Sequence, residues 1–484
     1  MSQKILACKS KILAYIVDIK VNVKLKRKVK AQDMCKNSSI QAILQENYAR
    51  ALSTYPGQVI VDLKALRDNM RTLVERVSKD LKPGQKSPAV MGVVKADAYG
   101  HGLIPSALAA LAGGATWLGT AQPYEALRLR KCGIDSNRCR ILTWLTSAPT
   151  SLFADLIKAD IDISVGSLDS IDAVALAAKS AGATARVHVK VDTGFGRNGF
   201  TPAGFSDALE KLSEYSSQGL IEVIGQWSHL AVADCPDVPE FVASTDRQIE
   251  QFHDFTRRMR EAGLGPKIRH LANTAATLNR PEIRFELVRP GIGLYGYEPD
   301  PVMGAPQTYD LRPAMTLQAQ LGTVKSVEAG HGISYGRTYL TPDNTSTAIV
   351  PLGYADGILR ASSGFDMQGS RHVNKPGGPV RVETNNGARI LHVSGRVCMD
   401  QFIVDLKGSA KELGVKEGDT VRLFGPGRGL EYAEPTADDW AAAAGTISYE
   451  IMTGIGPRVP RLYKNAYEVL PEKDIKMLDE KSLI

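Results

Sequence analysis

Between Val59 and about Pro299, short β-branched or apolar runs alternate with helical stretches, and the count closes at eight. The runs are Val90 to Val94, Thr116 to Thr120, Arg140 to Leu145, Asp162 to Gly166, Ala185 to Val191, Ile221 to Trp227, Lys267 to Leu271 and Leu287 to Leu294. Alanine- and leucine-rich segments such as Pro123 to Lys131, Leu168 to Ala181 and Thr245 to Ala262 lie between them. Eight strands alternating with helices point to a (β/α)8 TIM-type barrel. A doubly wound open sheet is the competing architecture, but no G-x-G-x-x-G opens the first helix. Beyond Pro301 the runs become short and are separated by Gly, Pro and Asp, which reads as a second, mostly β domain with one helix at Ala437 to Ala444. The 484 residues therefore divide into an N-terminal extension, 1–55, a barrel, 56–299, and a β-rich domain, 300–484. Residues 361–388, rich in Gly, Pro, Ser and Asn, read as a surface-loop insertion.

In such barrels the chemistry gathers at the C-terminal ends of the strands. Lys95 stands there, where the apolar run Val90 to Val94 breaks into Ala96-Asp97-Ala98-Tyr99-Gly100. Lysine is seldom buried without a partner. One ending a strand is either salt-bridged or kept neutral by desolvation so that its amine can attack a carbonyl. Trp144, the turn Asp192 to Arg197, His229, Asn273-Thr274 and Arg289-Pro290-Gly291-Ile292 share the same rim. A phosphate anchor is expected where Thr274 meets Gly291 and Ile292, because hydroxyls and backbone N–H groups after the last two strands commonly bind phosphate.

Val93-Val94-Lys95-Ala96-Asp97-Ala98-Tyr99-Gly100-His101-Gly102 resembles the cofactor-lysine signature of the bacterial alanine racemases, and the likeness continues through separate motifs to Arg461. The resemblance implies a pyridoxal 5'-phosphate enzyme that interconverts L- and D-alanine with two bases, supplying D-alanine for peptidoglycan. It gives Lys95 one face of the substrate. The other goes to Tyr335, within Gly332-Ile333-Ser334-Tyr335-Gly336-Arg337, reaching in from a partner subunit. Tyr99, Thr274, Gly291 and Ile292 inherit the cofactor phosphate, with Trp144, Asn273 and Tyr449 close to the cofactor. Arg289 is placed against the pyridine nitrogen. Arginine only donates hydrogen bonds, so that nitrogen must accept. His229 lies beside the ring and, with Arg289, links to Tyr335. Arg197 and the backbone at Met399 take the substrate carboxylate, Tyr354 belongs to the phosphate region or entrance, and Lys190 matches a position carbamylated in many relatives. A homodimer with shared sites follows, and no metal is involved.

Two other readings stand beside this one. A serine or broad-specificity amino-acid racemase of the same fold would differ in turnover on L-alanine, L-serine and L-lysine. A non-catalytic pyridoxal-phosphate-binding protein would need no β domain carrying Tyr335 and Met399.

The net charge of +7 suggests a polyanion partner only until it is localised. Residues 1–50 carry 11 basic and 3 acidic side chains, and the rest carries 48 and 49 of the totals of 59 and 52. The body is therefore close to neutral, and neither nucleic acid nor membrane is indicated. The first fifty residues read as a disordered or weakly ordered extension: Asp18 cuts the apolar run at Ile12 to Val17, and a basic block follows instead of a cleavage site. Six scattered cysteines without a C-x-x-C pair fit a reducing, cytoplasmic compartment.

Overall fold

The computed structural model describes residues 55–481 except 80, 82, 83, 85, 147–150 and 366–374. The N-terminal extension and the middle of the expected loop insertion lie outside the described residues.

All eight expected barrel strands form. With β1 at Gly57–Asp62, they are β2 Ala89–Val93, β3 Trp117–Thr120, β4 Arg140–Thr143, β5 Asp162–Val165, β6 Ala185–Lys190, β7 Ile221–Trp227, β8 Ile268–His270 and β9 Leu287–Val288. They pair in parallel in the order β8-β7-β6-β5-β4-β3-β2-β9, which excludes the doubly wound sheet. The β8–β9 seam is closed by other bonds: the Arg289 N–H donates to the Ala272 carbonyl at 3.0 Å, and the Arg269 N–H to the Glu286 carboxylate at 2.8 Å. The last strand is shorter than its apolar run, because Pro290 and Gly291 turn Ile292–Tyr295 into a 3-10 helix.

Period-two alternation explains what the barrel encloses. In β6, Val187 and Val189 are fully buried on one face, while Arg186, His188 and Lys190 point inward on the other. Burying each such valine contributes about 1.5–3 kcal/mol. The inward set has to be satisfied by hydrogen bonds or by loss of charge.

The β domain is where two boundaries change. Strand β1, expected in the barrel, pairs antiparallel with Met315–Gln320 (Val59 opposite Leu317) and parallel with Arg461–Lys464 (Val59 opposite Arg461). It is thus an internal strand, next to the edge, of the β domain's six-stranded sheet, and the barrel begins after the helix Leu63–Lys79. The second change falls in the expected loop. Pro379–Thr384 and Gly387–His392 form an antiparallel hairpin with Val380 and Val382 buried, so residues 379–388 are sheet, not surface loop. The helix at Ala437–Ala444 forms as expected, capped by Thr436. Cys132, Cys139, Cys235 and Cys398 are free thiols. Among the described residues no helix is long and apolar enough to cross a membrane.

Candidate active site

A cavity of about 240 Å³ opens at the C-terminal rim of the barrel. Lys95, Tyr99, Trp144, Arg197, His229, Asn273, Thr274, Arg289, Gly291 and Ile292 all line it, and Tyr449 reaches it from the β domain. Phe195, Trp227, Leu230 and Asp234 also line it. The sequence reading missed these four, although Phe195 lies inside the Asp192 to Arg197 turn and Trp227 ends β7.

Lys95 leaves β2 into an uncommon backbone. Ala96, Asp97, Ala98 and Tyr99 all have φ between 51° and 56°, a left-handed turn made without glycine. Each such residue costs about 1–2 kcal/mol, so the surroundings must hold it. Buried Glu125 accepts the Ala96 N–H at 2.7 Å while also taking those of Ala121 and Gln122, and Asp97 accepts the Leu103 N–H at 2.8 Å. The turn fixes Lys95 half-buried over the cavity. Burial, then the charge of Arg197, pulls its pKa down against the opposing charge of Glu125. A neutral amine becomes more accessible there than in water.

On the opposite wall the guanidinium of Arg289 is buried and heavily committed. Nη1 donates to the His270 carbonyl at 2.6 Å, and Nη2 to those of Ser228 at 2.7 Å and Leu271 at 3.3 Å. Among the described residues Nε has no hydrogen-bond partner. His229 Nδ1 lies 3.5 Å from Nη2, and burial followed by the Arg289 charge pushes its pKa well down, so the imidazole is neutral. Burial also lowers Arg289, to about 9, which still leaves it cationic near neutrality.

Between these walls lies an anion cradle. The Gly291 N–H donates to Thr274 Oγ1 at 2.9 Å, and a Cβ at position 291 would stand 2.4 Å from the Tyr99 hydroxyl, so only glycine fits. The Tyr99 ring stacks on Tyr295 at 4.6 Å and approaches Tyr449 at 5.8 Å. The Asn273 side chain accepts from the Ala276 N–H as the cap of the helix Thr274–Asn279. An anion here would meet hydroxyls and backbone N–H groups.

Arg197 is exposed at the cavity mouth, 4.3 Å over the Phe195 ring, on a turn whose N–H groups at 194, 195 and 196 all point to Asp192. Lys190 lies beneath the cavity, its Nζ 3.8 Å from the Trp227 ring centroid. Burial, then the charges of Arg289 and Arg197, lowers its pKa to about 7.

Tyr335, Tyr354 and Met399 do not join this cavity. They are exposed (70%, 44% and 54%) on the β domain. Two backbone bonds tie Tyr354 and Ala355 to Cys398 and Met399 at 3.0 and 2.9 Å, and Ser334 Oγ donates to the Arg396 carbonyl at 2.7 Å. Tyr335 follows Ser334 (φ 59°) and precedes Gly336 (φ 75°) and Arg337 (φ 46°), all at positive φ.

Comparison with known proteins fits this division. The family model "Alanine racemase, N-terminal domain" matches residues 61–299, and "Alanine racemase, C-terminal domain" matches 314–463. The chain belongs to the alanine racemase family. The alanine racemase of Streptomyces coelicolor is 46% identical over 408 residues, covering 84% of this chain and 95% of the relative, and that of Thermobifida fusca is 47% identical over 406 residues, covering 84% and 97%. The crystal structure of the alanine racemase from D-cycloserine-producing Streptomyces lavendulae superposes with a TM-score of 0.75 at 44% identity, covering 84% of this chain and 97% of that one. As an alanine racemase family member the chain is an isomerase acting on a small molecule.

Proposed function

We propose that this chain interconverts L- and D-alanine with pyridoxal 5'-phosphate held at the barrel rim, and that a second copy completes each site. The observation that carries the proposal is the cavity itself: an amine whose burial weakens its hold on a proton, a guanidinium with one uncommitted N–H, and a glycine cradle that a Cβ would fill. These features fit the aldehyde carbon, ring nitrogen and phosphate of the cofactor. When bound, the cofactor supplies the electron withdrawal that makes the proton on the substrate's Cα acidic.

Lys95 would hold the cofactor's aldehyde carbon, and its amine serves as the base on one face of Cα. The partner's Tyr335 serves the other face. In one direction the lysine amine takes the Cα proton while the phenol gives one, and in the reverse direction they exchange roles. Arg197, with the backbone of the partner's Met399, holds the substrate carboxylate, and Tyr354 joins the shared entrance. Arg289 can only donate, so with the cofactor bound it would leave the ring nitrogen as an acceptor, which would restrain side reactions such as transamination. Lys190, with its pKa near neutrality, keeps a share of the neutral amine that carbon dioxide needs. The resulting carbamate would give Arg197 an anionic partner. The assembly is a homodimer, and the compartment cytoplasmic.

Incubating the purified full chain with pyridoxal phosphate and L-alanine, then assaying D-alanine, tests the reading. Turnover of L-serine or L-lysine in preference to L-alanine would replace it with the broader racemase.

A further inference from the structure

Behind Arg289 a line of buried groups runs down the barrel axis. Arg289 Nη1 lies 3.2 Å from His270 Nδ1, His270 Nε2 lies 2.8 Å from His188 Nδ1, and His188 Nε2 lies 3.1 Å from Asp162 Oδ2. Asp162 also accepts from Arg186 at 2.9 and 3.2 Å and from Arg140. His270, His188 and Asp162 are fully buried and do not line the cavity.

The ends of this line fix every proton within it. A guanidinium has only donors, so His270 Nδ1 must be bare. The neutral ring then carries its proton on Nε2 and gives it to His188 Nδ1, which must also be bare. His188 in turn carries its proton on Nε2 and gives it to a carboxylate that only accepts. Burial, followed by the charge of Arg289, keeps His270 neutral. Burial alone would raise Asp162, but the bonds from His188 and Arg186 and the charge of Arg140 overcome it and keep the carboxylate ionised. The wall is shaped for this arrangement. The β6–β7 register slips between Val187 and His188, and a Cβ on Gly225 would stand 2.3 Å from His188 Nδ1.

We infer that His188 and Asp162 are positioning residues for Arg289, acting through His270 by holding it in the one tautomer that accepts from the guanidinium. The role rests on the reading above, in which Arg289 faces the cofactor ring. Without the line, His270 can place a proton on Nδ1. Two donors then face each other, and their repulsion at Nη1 works against the backbone carbonyls that hold the guanidinium, tilting Nε. Lys95 and Arg197 lie outside the relay, so substrate binding is spared.

The test begins with 15N NMR of the histidine-labelled full chain carrying pyridoxal phosphate. The His188 and His270 signals, assigned by their changes in His188→Gln and His270→Gln, should each show one bare and one protonated nitrogen, with the proton on Nε2. A proton on Nδ1, or a doubly protonated ring at neutral pH, overturns the relay. This measurement on the unaltered chain stands even if a variant misfolds. His188→Phe, which fills the space without polar atoms, should lower kcat for alanine by at least about tenfold with KM nearly unchanged. His188→Gln, whose carbonyl can accept from His270 and whose amide can donate to Asp162, should restore most of that loss. Unimpaired kcat in His188→Phe, or no rescue by His188→Gln, removes the positioning role. Absence of alanine turnover in a chain with the stated tautomers would instead overturn the reading of the reaction, and the relay's part in it.

Discussion

The barrel rim and the Tyr335 patch contain the two halves of one proposed reaction, yet they are built on opposite plans. At the rim the polar groups are settled inside the chain: Arg289 donates to three backbone carbonyls, Asp192 gathers three N–H groups, and Glu125 gathers three more. On the β domain the backbone is equally fixed, but Tyr335, Tyr354 and Met399 extend into solvent. Large side chains held out by a bonded backbone resemble half of an interface more than a mobile loop. The two halves share one feature. Lys95 and Tyr335 both adjoin non-glycine residues at positive φ, so strain sits beside each proposed base.

The strongest way to break this comparison is to disable each half in a different chain. Lys95→Ala and Tyr335→Phe should each reduce racemisation at least about a thousandfold. When the two chains are co-assembled, half of the dimers are mixed and each mixed dimer keeps one intact site, so about a quarter of wild-type activity should return. If activity stays at the single-mutant level, the tyrosine serves its own subunit or no site at all.

A smaller effect should come from unsettling the rim alone. Glu125→Ala leaves three N–H groups without their acceptor, each costing about 1–3 kcal/mol if no water replaces it. Denaturant unfolding should therefore show a loss of at least about 3 kcal/mol, with Glu125→Gln losing less because one acceptor oxygen survives. Unchanged stability in Glu125→Ala would mean that the left-handed turn needs no such support.

What could be read from the sequence follows the range of the forces involved. The eight barrel strands were legible because hydrophobic periodicity is local, and the rim residues because they follow strand ends. The left-handed turn was not, since Ala96, Asp97, Ala98 and Tyr99 lack the glycine that usually marks positive φ. Strand β1 was assigned to the barrel because its partners, Met315–Gln320 and Arg461–Lys464, come hundreds of residues later. The hairpin within 379–388 was hidden by the Gly and Pro around it. The inward Arg186, His188 and Lys190 were visible as an alternation in β6, but only the fold brings His188 between Asp162 and His270.

Lys190 sharpens the comparison through pH, because it is buried at the rim while Tyr335, Tyr354 and Met399 are exposed. Its pKa falls from an ordinary 10.5 to about 7 on folding. Between those values the unfolded chain holds a proton that the folded chain does not, so this residue makes stability rise with pH across the window. Below about 7 both states are protonated and the penalty is complete. In buffer free of carbon dioxide, Lys190→Met should therefore be more stable than wild type at low pH, by at most about 5 kcal/mol, with the gap closing towards pH 10.5. Bicarbonate should shrink the gap by converting the lysine to a carbamate. A gap independent of pH would mean that Lys190 keeps its proton and its charge.

The mildest change should fall on the patch. Tyr354 is 44% exposed, and what fixes it is its backbone N–H on the Cys398 carbonyl, which alanine would retain. Tyr354→Ala should therefore change the folding stability of the isolated subunit by no more than about 0.5 kcal/mol. An interface tyrosine is worth about 2 kcal/mol or more to association. The same substitution should thus weaken the dimer at least tenfold or so, and specific activity should fall on dilution at concentrations where wild type is unaffected. Activity lost equally at every concentration, with the dimer intact by sedimentation, would place Tyr354 in the chemistry and not the contact. A loss of subunit stability would mean that the patch, like the rim, is settled within its own chain.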